Sequence, residues 1–487
     1  MSRVPVPLAL LLGIAAVLGV AWTVATAPLQ GPDEPEHIGY VAHLAQTGHK
    51  PSATTGAHGP FGTDEVGALE IFGFGPARRH RQTRTPWSPA VEHQFRVFED
   101  TLPSGAPGLG DGPTPVGNNP PLYYAYAAVG WKLTPGSHFF GRVYVVRLMG
   151  VLLLLATTVF AWLLAGEALG RRRVTQTVAA GFVALLPMNG FMAGIVNTDM
   201  MLATVWTAFL WLALRTTRLG LTWPRAAGLS AVAVASILTH GRGLAILPAL
   251  VVALVVAWVV HRRPRNETLK AAASSGAVLA VGLFLFRFAF SSSGGGGSLY
   301  GGQTDIATTG ALNLKQLIMS VWNFYLPHLD STAARLGPGI GYRQIFVQQY
   351  FSGVFSSFDV YFPFWVYDAV LVLVALLGIA LFTLGVANWR RVLARWPVIV
   401  ILGAAGLSML AVLHFTSYRS LVGNGGTNPL IVGRYLLALG GIFGVMLAAV
   451  THLLPRRAGV AVGAFVLVCL LCLSVGGLAL SMERFYA

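Results

Sequence analysis

Immediately after a long apolar run, Gly31-Pro32-Asp33-Glu34-Pro35-Glu36-His37 places three carboxylates and an imidazole within five positions. Such a group can move a proton at a hydroxyl. One well-placed carboxylate suffices when the bond to be broken already carries a good leaving group. The bland alternative is N-capping, because acidic residues ahead of a proline at the first helical position commonly start a helix. Capping needs one carboxylate, so Asp33, Glu34, Glu36 and His37 together favour a chemical role. A helix is expected to follow, since Ile38, Val41, Ala42, Leu44 and Ala45 recur at helical spacing until Gly48. It would lie on the membrane surface.

A second set is polar and basic. Asn119 stands in Asn118-Asn119-Pro120-Pro121-Leu122-Tyr123-Tyr124, where two prolines bar helix continuation and Tyr123 opens an aromatic-rich segment. Interfacial tyrosines also serve simply to anchor a bilayer boundary. Arg147, Asn197, Asp199, His240, Arg242, Arg287, Arg434 and Tyr435 lie at the ends of apolar runs. Arginine can bind a phosphate through paired hydrogen bonds and neutralise charge developing on a leaving group. Snorkelling to lipid headgroups is the competing reading for any one of them. Several converging on Asp33 would form a phosphate site beside a base. No Asp-x-Asp occurs, so a metal-bound nucleotide sugar is not indicated. His37, His43 and His49 are six apart and share no helix face, so no metal site is expected, and no cofactor signature is present.

The elements that must position these residues are membrane spans. The 487 residues are 55% hydrophobic and only 10% charged. Apolar runs of about 20 residues, each able to cross a hydrocarbon core about 30 Å thick, recur along the chain. They predict an all-α integral membrane protein, one polytopic domain over 1–487 with about eleven transmembrane helices. The spans are 5–25, 143–169, 175–196, 199–216, 226–240, 243–260, 269–290, 366–388, 397–416, 433–453 and 458–481. Basic clusters at 171–173, 215–225, 261–265, 390–395 and 456–457 then share the side of Arg3, which the positive-inside rule makes cytoplasmic. The other face carries a first extracytoplasmic loop with surface helices, 26–142, a second, 291–365, and a short third, 417–432.

The net charge of +15 is scattered between spans, which speaks for membrane lipids and against nucleic acid as a partner. Ala25-Thr26-Ala27 could pass for a cleavage site, but Pro28 would follow the cut, so the first run is expected to be retained. Cys469 and Cys472 sit in the last apolar run without polar company and read as apolar filling. Ser291 to Ser298 reads as a flexible linker, and no internal repeat is present.

Pro32-Asp33-Glu34-Pro35-x-His37 after the first span resembles the first-loop motif of GT-C glycosyltransferases, especially bacterial relatives of the protein mannosyltransferase and arabinosyltransferase groups. Asn119-Pro120-Pro121-Leu122-Tyr123-Tyr124, Asn197-x-Asp199 and Gly433-Arg434-Tyr435 are similar to landmarks of those families. The likeness spans the whole topology, although its motifs cover about thirty residues. Leu238-Thr239-His240-Gly241-Arg242 departs from the pattern, standing where many relatives carry a lysine.

The resemblance implies a GT-C-like fold and a sugar donor on a polyprenyl phosphate, used on the outer face of the bacterial inner membrane. The acceptor would be a glycan, a protein or a small molecule. It implies Asp33 as general base, with Glu34 positioning it or sharing the role. Arg434, then Arg242 and His240, then Arg147 would receive the leaving phosphate, with Glu36, His37, Asn119, Tyr123, Asn197, Asp199 and Tyr435 lining the substrates. One base and direct displacement would invert the anomeric carbon. A polysaccharide polymerase or ligase using lipid diphosphates, and a transporter of lipid-linked sugars, are the alternatives. The transporter would require charges deep in mid-membrane, whereas the ionisable residues here fall mainly at helix ends.

Overall fold

The computed structural model of the chain describes residues 4–51, 61–80, 83–85, 87–102, 114, 116–134, 136, 138–262, 264–290, 313–327, 340–423 and 430–487. The helices are α1 Val6–Ala25, α2 Glu34–Thr47, α3 Thr63–Ile71, α4 Phe74–Arg79, α5 Pro89–Thr101, α6 Leu122–Lys132, α7 Phe139–Leu169, α8 Arg173–Leu185, α9 Pro187–Ala193 and α10 Asp199–Leu219. They continue as α11 Trp223–Thr239, α12 Ile246–His261, α13 Arg265–Phe290, α14 Leu314–Tyr325, α15 Phe364–Ala387, α16 Trp389–Leu393, α17 Trp396–Gly423, α18 Gly440–Leu453 and α19 Arg456–Tyr486. Short 3-10 turns, Gly241–Ala245 and Gly433–Leu439, lead into α12 and α18. Strands β1 Val354–Phe355 and β2 Val360–Tyr361 form an antiparallel hairpin pairing Val354 with Tyr361.

The all-α, multi-pass architecture expected from the sequence is the one observed. Among the described residues nine helices are long and apolar enough to cross a membrane, and ten if α8 and α9 form one span bent by 55°. The bend falls at Pro187, which lacks an N–H and holds Leu186 extended (ψ 121°). The run expected at 226–240 is α11, whose 17 residues are short for a span.

Helices α1, α7, α8, α10 and α18 form the centre, where Gly150 lies flush against Ala193 and Gly444 against Ala179. Small residues allow this close approach, which drives packing where lipid supplies no hydrophobic contrast. In α10, 78% of the apolar window is buried, against 6% in α15, so α10 is a core helix and α15 faces lipid.

The basic loops gather at one end. Glu167, near the end of α7, pairs with Arg218 at 2.5 Å and Arg215 at 3.7 Å. Arg395 donates to the Ala168 carbonyl, and His261 Nε2 lies 2.7 Å from the Thr217 carbonyl. Arg147 and the acidic motif lie toward the opposite, N-terminal end of α7. α2 to α6 build the first loop around Phe72, Phe74 and Phe95, and Gly48 (φ 75°) ends α2 where expected. The Ser/Gly run 291–298 and the segments 52–60 and 103–113 lie outside the described residues.

A side chain at Gly150 would put its Cβ 2.4 Å from the Ala193 carbonyl oxygen, a backbone atom that cannot step aside. Gly150→Val is therefore expected to destabilise the bundle by about 1–3 kcal/mol. Thermal unfolding of the purified protein in detergent measures this, and an unchanged midpoint would contradict the packing.

Candidate active site

The acidic motif folds into two opposite electrostatic arrangements. Glu34, the first residue of α2, is wholly buried against Arg147 of α7, also wholly buried. Its Oε1 accepts from Arg147 Nε (2.8 Å) and the Val196 N–H (3.1 Å), and its Oε2 accepts from Arg147 Nη2 (2.7 Å) and the Gly31 N–H (3.1 Å). The remaining Arg147 donors reach the carbonyls of Thr23 (2.9 Å), Thr26 (2.7 Å) and Ala27 (3.1 Å) at the end of α1. These carbonyls belong to a helix C-terminus, where orphan acceptors and the negative end of the helix dipole favour a cation. All five guanidinium N–H groups are used.

Asp33 is its opposite. It adopts a left-handed conformation (φ 56°, ψ 18°), and its side chain makes no capping bond to α2. Instead Oδ2 accepts from Arg434 Nη2 at 2.5 Å, with the Asp33 side chain 51% exposed. Arg434 Nη1 donates to the Pro32 carbonyl at 3.3 Å. Asp199, at the start of α10, accepts from Arg242 Nη2 at 2.5 Å, while its other oxygen lies 3.7 Å from Arg434 Nε. The Arg242 guanidinium covers the Tyr435 ring, 3.7 Å from its centroid. Among the described residues, Arg242 Nη1 and Arg434 Nε are buried donors without a hydrogen-bond partner.

His240 adds an imidazole beside these guanidiniums. Its Nδ1 accepts the Arg242 backbone N–H at 3.1 Å, which leaves the ring proton on Nε2. The Nε2 atom lies 3.3 Å from Arg242 Nη2. Unsatisfied buried donors are costly, and an oxyanion placed here would accept from several at once.

A polar layer holds Pro32 and Asp33 from behind. Asn197 Oδ1 accepts the Asp199 N–H (2.9 Å), so its Nδ2 must donate, to the Pro32 carbonyl (3.4 Å) and His37 Nε2 (3.2 Å). His37 therefore carries its proton on Nδ1 and donates to the Tyr124 hydroxyl (2.8 Å), which also accepts from Asn119 Nδ2 (3.0 Å). Tyr123 accepts the Asn197 N–H at 2.9 Å, and Tyr40 stacks on Tyr124 at 3.6 Å. Burial pushes His37 down to about 4, against the opposing pull of Asp33. Both its ring nitrogens are occupied. Among the described residues no cluster of three His, Cys, Asp or Glu could hold a metal ion.

A family model described as Predicted membrane protein (DUF2142) matches residues 16–442. The chain belongs to this family. A search of curated proteins finds no match. Among solved structures, this DUF2142 member is similar to the oligosaccharyltransferase of Archaeoglobus fulgidus tethered with an acceptor peptide (TM-score 0.45, 11% identity), covering 98% of this chain and 55% of that one. The chain thus spans about half the length of that enzyme. It is also similar to ArnT from Cupriavidus metallidurans, in the apo state (0.42, 15%, 98% and 76%) and bound to undecaprenyl phosphate (0.38, 18%, 98% and 77%).

Of the residues singled out in the sequence, the DUF2142 fold brings Asp33, Asp199, His240, Arg242, Arg434 and Tyr435 into one cluster, with His37, Asn119, Tyr123 and Asn197 behind it. Arg147 does not join them. It has no donor left for a phosphate, so its expected role as a phosphate ligand is corrected to a structural one. Glu34 likewise has both oxygens engaged and cannot share proton transfer; positioning Asp33 is the role left to it. Glu36 is half-buried and lies toward Glu65 of α3. The helix α13 continues through 287, but the Arg287 side chain lies outside the described residues. Sequence reasoning missed Glu65, which burial, reinforced by Asp64, Glu36 and Glu34, holds well above the usual carboxylate range.

Removing one partner of a buried ion pair strands the other, at about 3–5 kcal/mol. Arg147→Met and Glu34→Met should each lower the unfolding midpoint sharply, whereas the two together should recover part of it; additive losses in the double variant would refute the pairing. His37 yields a second expectation. Its folded pKa, about 4, lies below the unfolded value of 6.5, so its contribution is full above pH 6.5 and fades as pH falls toward 4. Between those limits the wild type should lose on the order of 3 kcal/mol more than His37→Gln, read from pH-dependent unfolding of the two proteins.

Proposed function

We propose that this protein is a GT-C-type glycosyltransferase that moves a single sugar from a polyprenyl-phosphate donor to an acceptor hydroxyl. The observation that carries this reading is the half-exposed Asp33 carboxylate held against Arg434, beside buried arginine donors that lack partners among the described residues. A base and an oxyanion site thus adjoin, the pair of functions that direct displacement at a glycosyl phosphate requires.

In the proposed reaction the acceptor oxygen attacks the anomeric carbon while Asp33 takes the hydroxyl proton. The bond between that carbon and the phosphate oxygen breaks, and its electron pair stays on the phosphate. Arg434, Arg242 and the Nε2–H of His240 receive the charge that develops there. Asp199 holds the two guanidiniums in place, and Tyr435 supports Arg242 from below. The donor phosphate competes with Asp33 for Arg434, so binding frees a carboxylate oxygen for the acceptor. A single base on one face implies inversion. Adjacent Asp33 and Glu34 do not flank a sugar as the carboxylates of glycosidases do, and Glu34 is sealed away.

The site lies at the end of the bundle opposite the arginine-rich loops. With those loops cytoplasmic, transfer would occur on the extracytoplasmic face of a bacterial inner membrane. Mannose and arabinose are the donor sugars that the sequence resemblance suggests, with a glycan, protein or small molecule as acceptor.

Mass analysis of the purified protein with polyprenyl-phosphate mannose or arabinose and candidate acceptors tests the reaction. Asp33→Asn should lower transfer by about 10²–10⁴-fold while the protein elutes unchanged in detergent. Transfer near the wild-type level would remove Asp33 from the mechanism, and transfer only from lipid diphosphate donors would favour a polymerase or ligase.

A further inference from the structure

The 3-10 turn Gly433–Leu439 carries Arg434 and Tyr435, and its first N–H is an orphan donor in the way of every helix start. Its N-cap residue, Val432, has no side-chain acceptor to offer. The acceptor comes instead from far along the chain. Gln349, buried in a π-helix spanning Arg343–Gly353, places Oε1 2.6 Å from the Gly433 nitrogen and takes its N–H. The fit leaves no slack. A Cβ on Gly433 would come within 2.4 Å of Gln349 Cβ and 2.8 Å of both the Ile345 carbonyl oxygen and the Tyr350 nitrogen. Long π-helices are rare and tend to mark functional sites, and this one sets its side chains against the turn that bears the phosphate arginine.

The same stretch of chain also grips the other half of the site. Just beyond the π-helix, Ser356 Oγ donates to the Gln30 carbonyl at 3.2 Å, three residues before Asp33. Phe355 packs on Trp22 of α1, their ring centroids 4.6 Å apart. One segment, 343–356, therefore braces the base and the arginine together.

We infer that Gln349 is a positioning residue for Arg434, capping from the second outer loop the turn that aims this arginine at the donor phosphate. The inference rests on the phosphate role given above to Arg434. Gln349 touches neither substrate. It acts by fixing the first backbone group of the turn, so its loss lets Arg434 swing between Asp33, Asp199 and solvent.

The test is binding of undecaprenyl phosphate to the full chain in detergent, followed by quenching of tryptophan fluorescence. Arg434→Ala should weaken binding strongly. Gln349→Met, close in volume but without the acceptor, should weaken it about tenfold, one hydrogen bond's worth. Gln349→Glu, which keeps an acceptor oxygen, should restore most of it. In the Arg434→Ala background, Gln349→Met should change nothing further, whereas a merely structural residue would weaken both backgrounds alike. Wild-type binding by Gln349→Met, or an equal loss in both backgrounds, overturns the inference and leaves the phosphate reading standing. Equal binding by wild type and Arg434→Ala removes the reading and this inference with it. If Gln349→Met is not monodisperse, Gln349→Asn, which withdraws the oxygen by one methylene, is read by the same criteria.

Discussion

The buried pair of Glu34 and Arg147 organises everything around it. Four hydrogen bonds end on the carboxylate and five begin at the guanidinium, and together they join the end of α1, the start of α2, the middle of the chain at Val196 and the third turn of α7. Each charge alone would carry a desolvation penalty of several kcal/mol in this dry interior. They coexist because every donor and nearly every lone pair is satisfied. The geometry that satisfies them leaves the preceding residue little choice, and Asp33 takes a left-handed backbone that costs a non-glycine residue roughly 1–2 kcal/mol. A carboxylate locked in the interior thus turns its neighbour outward.

The two ion pairs built from adjacent residues divide the work by their degree of satisfaction. Arg147 is saturated and inert. Arg434 and Arg242 each retain a buried N–H without a partner among the described residues, and His240 Nε2 lies beside Arg242. In the proposed reaction these donors would receive the phosphate, because an oxyanion placed there gains hydrogen bonds without first breaking all the existing ones. Asp33 and Asp199 balance the two guanidiniums at rest, which keeps the arginines from repelling each other. The neutral His37, fixed by Asn197 and Tyr124, links Pro32 to the α6 layer without adding charge.

Much of this was legible in the chain itself. Apolar length located the spans, and the basic loops sorted them to one end. The motif at 31–37, the Asn197–Asp199 pair and Gly433-Arg434-Tyr435 stood out because polar residues at span ends need a reason to be there. The helix after the motif ended at Gly48 as its spacing required. Arg147 was read as a phosphate ligand, and Glu34 was left between positioning Asp33 and sharing its role, for one reason: a residue type announces charge but not burial, and a saturated guanidinium has the same letter as a free one. Gln349 left no trace, since a glutamine among aromatics has no pattern, and its partner is a backbone group 84 residues away.

By itself, then, the sequence determined the membrane-spanning class, the clustering of basic loops on one side and the short list of residues able to do chemistry, because periodicity, length and charge sign are local properties. Only the tertiary structure decided which carboxylate is open and which is sealed, which arginines have donors to spare, and that the π-helix Arg343–Gly353 caps the turn bearing Arg434. Those are matters of hydrogen-bond satisfaction between groups distant in sequence. Satisfaction depends on where each donor and acceptor lies in space, and that is settled only when the helices pack.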